Sequence, residues 1–269
     1  MLLQTFEVIL LSMQVVWIIL QLIVSAFLLV KMFQTKQYNL LPLILFFILN
    51  SIRMIIYAFT PYIILYLIII QIPNILLLIF IKLTFFRNKK SPFKFFLITL
   101  ILVRSIDLWI RLQYGITIPM REPLDESYLI YYYSILLSIS LSFLFSHLWL
   151  GIVSIKYYKS LKSIKIEPWI KKRYQIIGIA SIIYAFSIFL YYVIPYNFIP
   201  GQDLFSIIFV AILTSFVVFY SSAMFIAWVM PTRLKTYFNK DYQIISDKEF
   251  EENELLELIK EDLKKNSHK

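Results

Sequence analysis

The chain has 269 residues, of which 60% are hydrophobic, 18% aromatic and only 16% charged, with a formal net charge of +10. Soluble domains carry about a quarter charged residues, so an ordinary water-soluble fold is excluded. The basic excess lies in the gaps between hydrophobic runs, where each Lys or Arg beside anionic head groups contributes about 1 kcal/mol, and nucleic acid drops out as a partner.

Seven runs are long enough to cross a bilayer, over residues 8–30, 40–59, 62–84, 93–112, 128–155, 174–195 and 204–230. A bilayer core takes about 20 apolar residues as helix, and an isolated apolar run satisfies its backbone there only as helix. The first run follows Glu7, lacks a basic leader and is too long for a signal segment, so it reads as a retained helix. Lys31 and Lys36 follow it. The second run carries Asn50 and Arg53, one turn apart on one face. Only Thr60 and Pro61 separate it from the third, which makes the two antiparallel neighbours. The third holds Gln71, Pro73 and Asn74 near its middle. Pro73 donates no backbone hydrogen bond, so a kink with polar neighbours and a small cavity is expected there. Arg87, Lys89, Lys90 and Lys94 follow. The fourth carries Arg104, Asp107 and Arg111, spaced three and four, so the acid meets both arginines on one face.

Residues 113–127 form the one long outer gap, with Gly115, Pro119, Pro123 and acids that would cap the outer mouth. Tyr128, Tyr131, Tyr132 and Tyr133 open the fifth run as an aromatic belt. His147, near its inner end, reads as a packing residue. The gap over 156–173 is a long basic loop with Lys156, Lys159, Lys162, Lys165, Lys171, Lys172 and Arg173, anchored at the interface by Trp169. The sixth run ends at Tyr191, Tyr192 and Tyr196. The seventh is expected to stop at Pro231, because proline disfavours helix in the residue before it. Residues 233–238 are basic and amphipathic and fit the inner interface. In the tail, Ser246 and Glu249 form a capping box. Phe250, Leu255, Leu256, Leu258, Ile259 and Leu263 then recur among acids, giving an amphipathic helix over about 247–265. The division is a membrane domain, 1–231, and a tail, 232–269. That helix is either a solvated tail or a segment that docks on the basic loop or on a partner.

The basic gaps are every second gap, and positive charge near helix ends stays on the cytoplasmic side. The expected fold is therefore all-α, a seven-helix membrane bundle with the amino end outside and the carboxyl end in the cytoplasm. Arg53, Arg104, Asp107, Arg111, Asn50, Gln71 and Asn74 are its candidate site. Two readings stand side by side, with a third in which Arg53 only snorkels to the outer head groups. In one, Asn50, Gln71 and Asn74 bond each other while the fourth helix forms its own ion network. In the other, Arg53 and Arg104 face a small carboxylate or phosphate ligand in a pocket that opens outward.

Chemistry narrows the function. No cysteine is present, which removes disulfides, thiolate metal sites and palmitoylation. His147 and His268 are the only histidines, too few for a seven-helix zinc hydrolase. Asp107 is the only acid deep in a run, one short of an intramembrane aspartyl protease. The seventh run has no lysine for a retinal Schiff base. Neither enzyme chemistry nor a cofactor or metal is expected. Transport by two parallel triple-helix repeats around a linker helix stays open as the alternative. The Ile-, Lys- and Asn-rich composition fits the cell membrane of a prokaryote or an internal membrane of a eukaryote.

Several segments carry a resemblance. Phe47-Ile48-Leu49-Asn50-Ser51-Ile52-Arg53 places an Asn and an Arg three apart in an apolar run. Gln71-Ile72-Pro73 leads into a long apolar run with a basic end. Ile177-Gly178-Ile179-Ala180-Ser181 is entered from Lys171-Lys172-Arg173, and Ser221-Ser222-Ala223-Met224-Phe225 runs on to Met230-Pro231-Thr232-Arg233. In order and spacing these resemble the seven-helix family of the plant tobamovirus-multiplication membrane proteins and their animal lysosomal orphan-receptor-like relatives. That family tends to have an acid where Gln71 stands and a proline where Ser221 stands. The resemblance implies a non-enzymatic, receptor-shaped scaffold that recruits cytoplasmic proteins, small GTPases among them. Lys162, Lys165, Lys171, Lys172 and Arg173, with Phe250, Leu255, Leu258 and Ile259 of the tail, are the residues expected to meet such a partner. Coupling to heterotrimeric G proteins by the usual receptor motifs is not expected, since Phe85-Phe86-Arg87 lacks an acid before the arginine.

Overall fold

The computed structural model describes residues 2–59, 63–87, 89–116, 125–162, 164, 166–194 and 204–240, and these are helical with no strand. Six helical stretches are long and apolar enough to cross a membrane: Val8–Thr35, Tyr38–Tyr57, Ile64–Phe85, Glu126–Leu161, Pro168–Tyr192 and Leu204–Val229. The chain is thus an all-helical integral membrane protein. The run expected over 93–112 also forms a helix, Phe93–Tyr114, of 22 residues. Lys94, Arg104, Asp107 and Arg111 make it too charged to join the six on apolarity alone.

The helices are α1 (Leu2–Thr35), α2 (Leu41–Phe59), α3 (Ile63–Ile69), α4 (Pro73–Phe85), α5 (Phe93–Tyr114), α6 (Leu129–Phe143), α7 (Trp149–Leu161), α8 (Pro168–Ser187), α9 (Leu204–Val229) and α10 (Thr232–Phe238). Pro73 does more than kink the third run. It takes the first position of α4, where its missing N–H costs nothing, and the chain passes from α3 to α4 through Gln71 and Ile72 in tighter turns. A π-helical segment, Leu144–Leu148, joins α6 to α7 and holds His147. Such bulges insert one extra residue and re-aim the side chains around them.

The inner gap differs from its expected form. α7 continues to Leu161 and α8 begins at Pro168, so most of the basic stretch over 156–173 is helix rather than loop. Proline at the first position of α8 presets the helical backbone angle. Leu204–Val229 ends just before Pro231 as expected, with Met230 at φ +42° making the turn into α10. α10 is fixed to α8. Asn239 Oδ1 accepts from the Trp169 amide at 3.3 Å, and Lys235 Nζ lies 4.6 Å from the Trp169 ring centre. The tail from 241 onward, with its expected helix over about 247–265, lies outside the described residues.

Two sets of contacts fix helix directions. Gln21 meets Ser221, Phe27 meets Phe225, and Lys31 donates to the Trp228 carbonyl, so α1 and α9 run parallel. Phe96 packs on Phe145 and Trp149, Ser138 donates to the Val103 carbonyl, and Tyr114 stacks on Tyr131. α5 therefore lies antiparallel along the stretch from α6 into α7 for nearly its whole length.

Packing is uneven along the bundle axis. The main core joins the carboxyl halves of α1 and α9, the amino half of α2, α4, α7 and the first half of α8. Leu28, Leu43, Phe47, Leu77, Phe80, Leu150, Ile177 and Met224 are fully buried in it. All of these lie toward the end that carries the basic gaps. α7 and α8 cross there on two glycines. A Cβ on Gly151 would sit 2.5 Å from Ile182 Cγ1 and 3.1 Å from the Gly178 carbonyl oxygen. A Cβ on Gly178 would sit 2.6 Å from Ile155 Cδ1. Small residues let helix backbones approach closely in a membrane, where association rests on van der Waals contact.

Candidate functional site

Toward the opposite end the bundle is not filled. A cavity of about 140 Å³ lies between α1, α2, α3, α6, α8 and α9. α2 contributes Arg53 and, one turn on, Tyr57. α1 contributes Gln14 and Trp17, and Tyr66 and Ile70 come from the end of the third run beside the Pro73 break. α8 and the 3-10 turn after it, Ile188–Tyr192, add Tyr184, Ser187 and Tyr191. Tyr184, Ser187, Ile188 and Tyr191 recur at helical spacing and so share one face, and the 3-10 turn keeps Ile188 and Tyr191 aligned on it.

Arg53 is the only charged side chain that the described residues contribute to the lining. Its guanidinium lies 5.9 Å from the Trp17 ring centre, and its Nε is buried with no hydrogen-bond partner among the described residues. A half-buried guanidinium held over an indole keeps its remaining N–H groups available to an acceptor in the cavity. The floor is aromatic. Tyr184 stacks on Tyr220 at 4.6 Å, and His147 packs edge-on against both, at 4.8 Å and 5.1 Å. His147 is the packing residue expected from its isolation, but it packs under the cavity and not at a span end.

The second polar centre is an ion cluster in α5. Asp107 Oδ2 accepts from Arg111 Nε at 3.0 Å, from Gln71 Nε2 at 3.0 Å and from Arg104 NH1 at 3.5 Å. Arg104 NH2 also donates to the Ile70 carbonyl at 2.7 Å, in the break before Pro73. All three charged residues are buried. Two cations share one acid, and Gln71 bridges the cluster to the broken helix.

The candidate residues thus separate into groups. Arg104, Asp107, Arg111 and Gln71 come together as one network. Arg53 lines the cavity and Arg104 does not, so the reading in which both face one pocket is not the arrangement seen. Asn50, Gln71 and Asn74 do not bond each other. Asn50 Nδ2 donates to the Phe46 carbonyl one turn back, and Asn74 Oδ1 accepts from Ser146 at 3.3 Å. Among the lining residues not singled out from sequence are Trp17, Tyr57, Tyr66 and Tyr184. Tyr57, four residues after Arg53, is the one whose place on the same helix face was readable.

At the inner end, Lys162 is exposed, while Lys171 and Lys172 are half-buried at the start of α8. Lys171 Nζ donates to the Lys162 carbonyl at 3.3 Å, and Lys172 Nζ donates to Gln175 at 3.0 Å. Arg173 is fully buried between two indoles, 4.8 Å from the Trp169 ring centre and 5.4 Å from that of Trp228. It ties α8 to α9 and offers nothing to an external partner. Lys165, Phe250, Leu255, Leu258 and Ile259 lie outside the described residues.

No family model, curated protein or solved structure matches the chain.

Proposed function

We propose that the chain is a receptor-like, seven-helix membrane protein that binds a small anion in the outer half of the bundle and meets a cytoplasmic protein at its basic inner face. α5 is the seventh span in this reading. Its pairing along α6 and α7 supports that, since a helix beside a spanning stretch for its full length crosses the same thickness. Parallel α1 and α9 support it as well, because an odd number of crossings returns the last helix in the direction of the first. Burial of Arg104, Asp107 and Arg111 against α3 and α6 explains how a charged helix is tolerated in lipid. With the basic gaps inside, the amino end is outside and α10 lies in the inner interface.

The observation that carries the reading is the cavity with Arg53 as its single charge among the described residues, closed from the inner face by the dense core around Phe47 and Tyr220. A pocket shut on one side suits a receptor. The resemblance to the tobamovirus-multiplication family adds recruitment of a cytoplasmic protein, with small GTPases as the class to try first. Lys162, Lys171 and Lys172, with the acidic residues of the tail sequence, are the groups this reading assigns to it.

One observation favours a carrier as the second reading. The third run is broken beside the cavity, and transporters build their sites from such discontinuous helices. Two measurements separate the readings. Full-length protein in nanodiscs is expected to retain a specific cytoplasmic protein, and Lys162→Glu, Lys171→Glu and Lys172→Glu together are expected to lower that capture about tenfold. Proteoliposomes are expected to show no saturable uptake. Saturable anion uptake with no retained protein would establish the carrier instead.

A further inference from the structure

The cavity says more about its ligand than that it is an anion. We propose that it takes a small aromatic monocarboxylate, with the carboxylate on Arg53 and the ring among Trp17, Tyr57, Tyr66 and Tyr184. This rests on the reading of the cavity as a ligand site.

Charge fixes the first part. Among the described residues Arg53 is the only cation in the lining, and no Asp or Glu of theirs lines the cavity. A guanidinium matches a carboxylate with two parallel N–H donors. A ligand ammonium would be buried with no carboxylate to meet it, and a second anionic charge would have no second cation. Unpaired buried charge is strongly unfavourable. Amines, amino acids and dicarboxylates are thereby disfavoured. The neighbouring cluster does not change this count, because Arg104 and Arg111 are turned onto Asp107 and do not line the cavity.

Size fixes the second part. A cavity of about 150 Å³ accommodates one benzene ring, and this one, partly open, is about 140 Å³. One ring fills it, whereas a long acyl chain would have to extend out of it. Wall chemistry fixes the third. Trp17, Phe143, Tyr184, Tyr191 and Phe209 present ring faces and edges, which favour stacked or edge-on partners over a saturated body of equal size.

The test is calorimetric binding to the full chain in nanodiscs, with phenylacetate, phenylalanine, phenethylamine, decanoate and inorganic phosphate as probes. Phenylacetate is expected to bind saturably, with phenylalanine and phenethylamine at least about tenfold weaker. Arg53→Gln should weaken phenylacetate by about 10- to 100-fold, the range for a charge-assisted hydrogen bond. Val210→Phe, which fills the ring's space and leaves Arg53 in place, should abolish binding without lowering the unfolding temperature. That second variant keeps the test decisive should Arg53→Gln fold poorly. Tighter binding of decanoate, phosphate or phenylalanine than of phenylacetate, still dependent on Arg53, would overturn the aromatic monocarboxylate and leave the ligand site standing. Equal binding of phenylacetate to Arg53→Gln would overturn the proposal. Binding of no probe would overturn both.

Discussion

Asp107→Ala is expected to destabilise the protein by about 3–5 kcal/mol, the usual result of removing one member of a buried ion network. Asp107 Oδ2 holds Arg111, Arg104 and Gln71 at once. Its loss leaves two buried guanidinium groups with no acid. A lone charge at the centre of a spanning helix costs about 2.5–3.5 kcal/mol on insertion scales, and Arg104 and Arg111 would both be so exposed to lipid-like surroundings. Asp107→Asn keeps an acceptor for Gln71 but not the charge, so it should retain little of the difference. Arg104→Met, Asp107→Leu and Arg111→Met together should sit close to the parent, because a whole buried network can be replaced by well-packed apolar groups at little cost. Unfolding in mixed micelles, followed by monodispersity, measures all three. Parental stability of Asp107→Ala would show that the cluster is not a structural centre.

Gly151→Leu or Gly178→Leu is expected to be nearly as damaging. At the α7–α8 crossing a Cβ added to Gly151 would sit 3.1 Å from the Gly178 carbonyl oxygen, and one added to Gly178 would sit 3.2 Å from the Gly151 carbonyl oxygen. Alanine at either site forces Ile182 or Ile155 aside and should cost about 1–3 kcal/mol as overpacking. Leucine cannot be accommodated without separating the helices. Ile182→Ala should recover part of the loss in Gly151→Ala, and a double-mutant cycle reads that coupling. Because α8 carries Tyr184 and Ser187 into the cavity, the separated helices should also lose the phenylacetate binding proposed for it. A Gly178→Leu protein that unfolds like the parent would show the crossing to be looser than the structure has it.

Much of the architecture was legible in the sequence. Run length and apolarity placed the helices, Pro231 placed the end of α9, and the three-and-four spacing of Arg104, Asp107 and Arg111 gave their ion network. These features depend on neighbours along one helix. The rest depends on contacts between helices, which spacing along one chain does not encode. Gln71 was visible as a polar residue beside a proline, but its partner Asp107 is 36 positions away. Asn50 and Asn74 looked equally available for each other, yet Asn50 closes on its own helix and Asn74 meets Ser146. Arg53 and Arg104 both sat in the same half of the membrane, and only packing assigned one to the cavity and the other to the cluster. Pro168 marked the early start of α8, and its first-position preference was the signal that the basic stretch is helical. Gly151 and Gly178 lie on different helices and form no motif within either. Arg173 read as one more basic loop residue until Trp169 and Trp228 enclosed it.

The seven-crossing arrangement with α5 as a true span is tested most directly by single cysteines at its two ends. The chain has no native cysteine, so each introduced thiol reports without background. Ser91→Cys and Gln113→Cys flank or end α5, and 22 helical residues between Phe93 and Tyr114 extend about 33 Å. A membrane-impermeant thiol reagent should label Gln113→Cys in intact cells and Ser91→Cys only after permeabilisation. Labelling of both from the same side would contradict the assignment of faces, and with it the outward cavity and the inner partner surface.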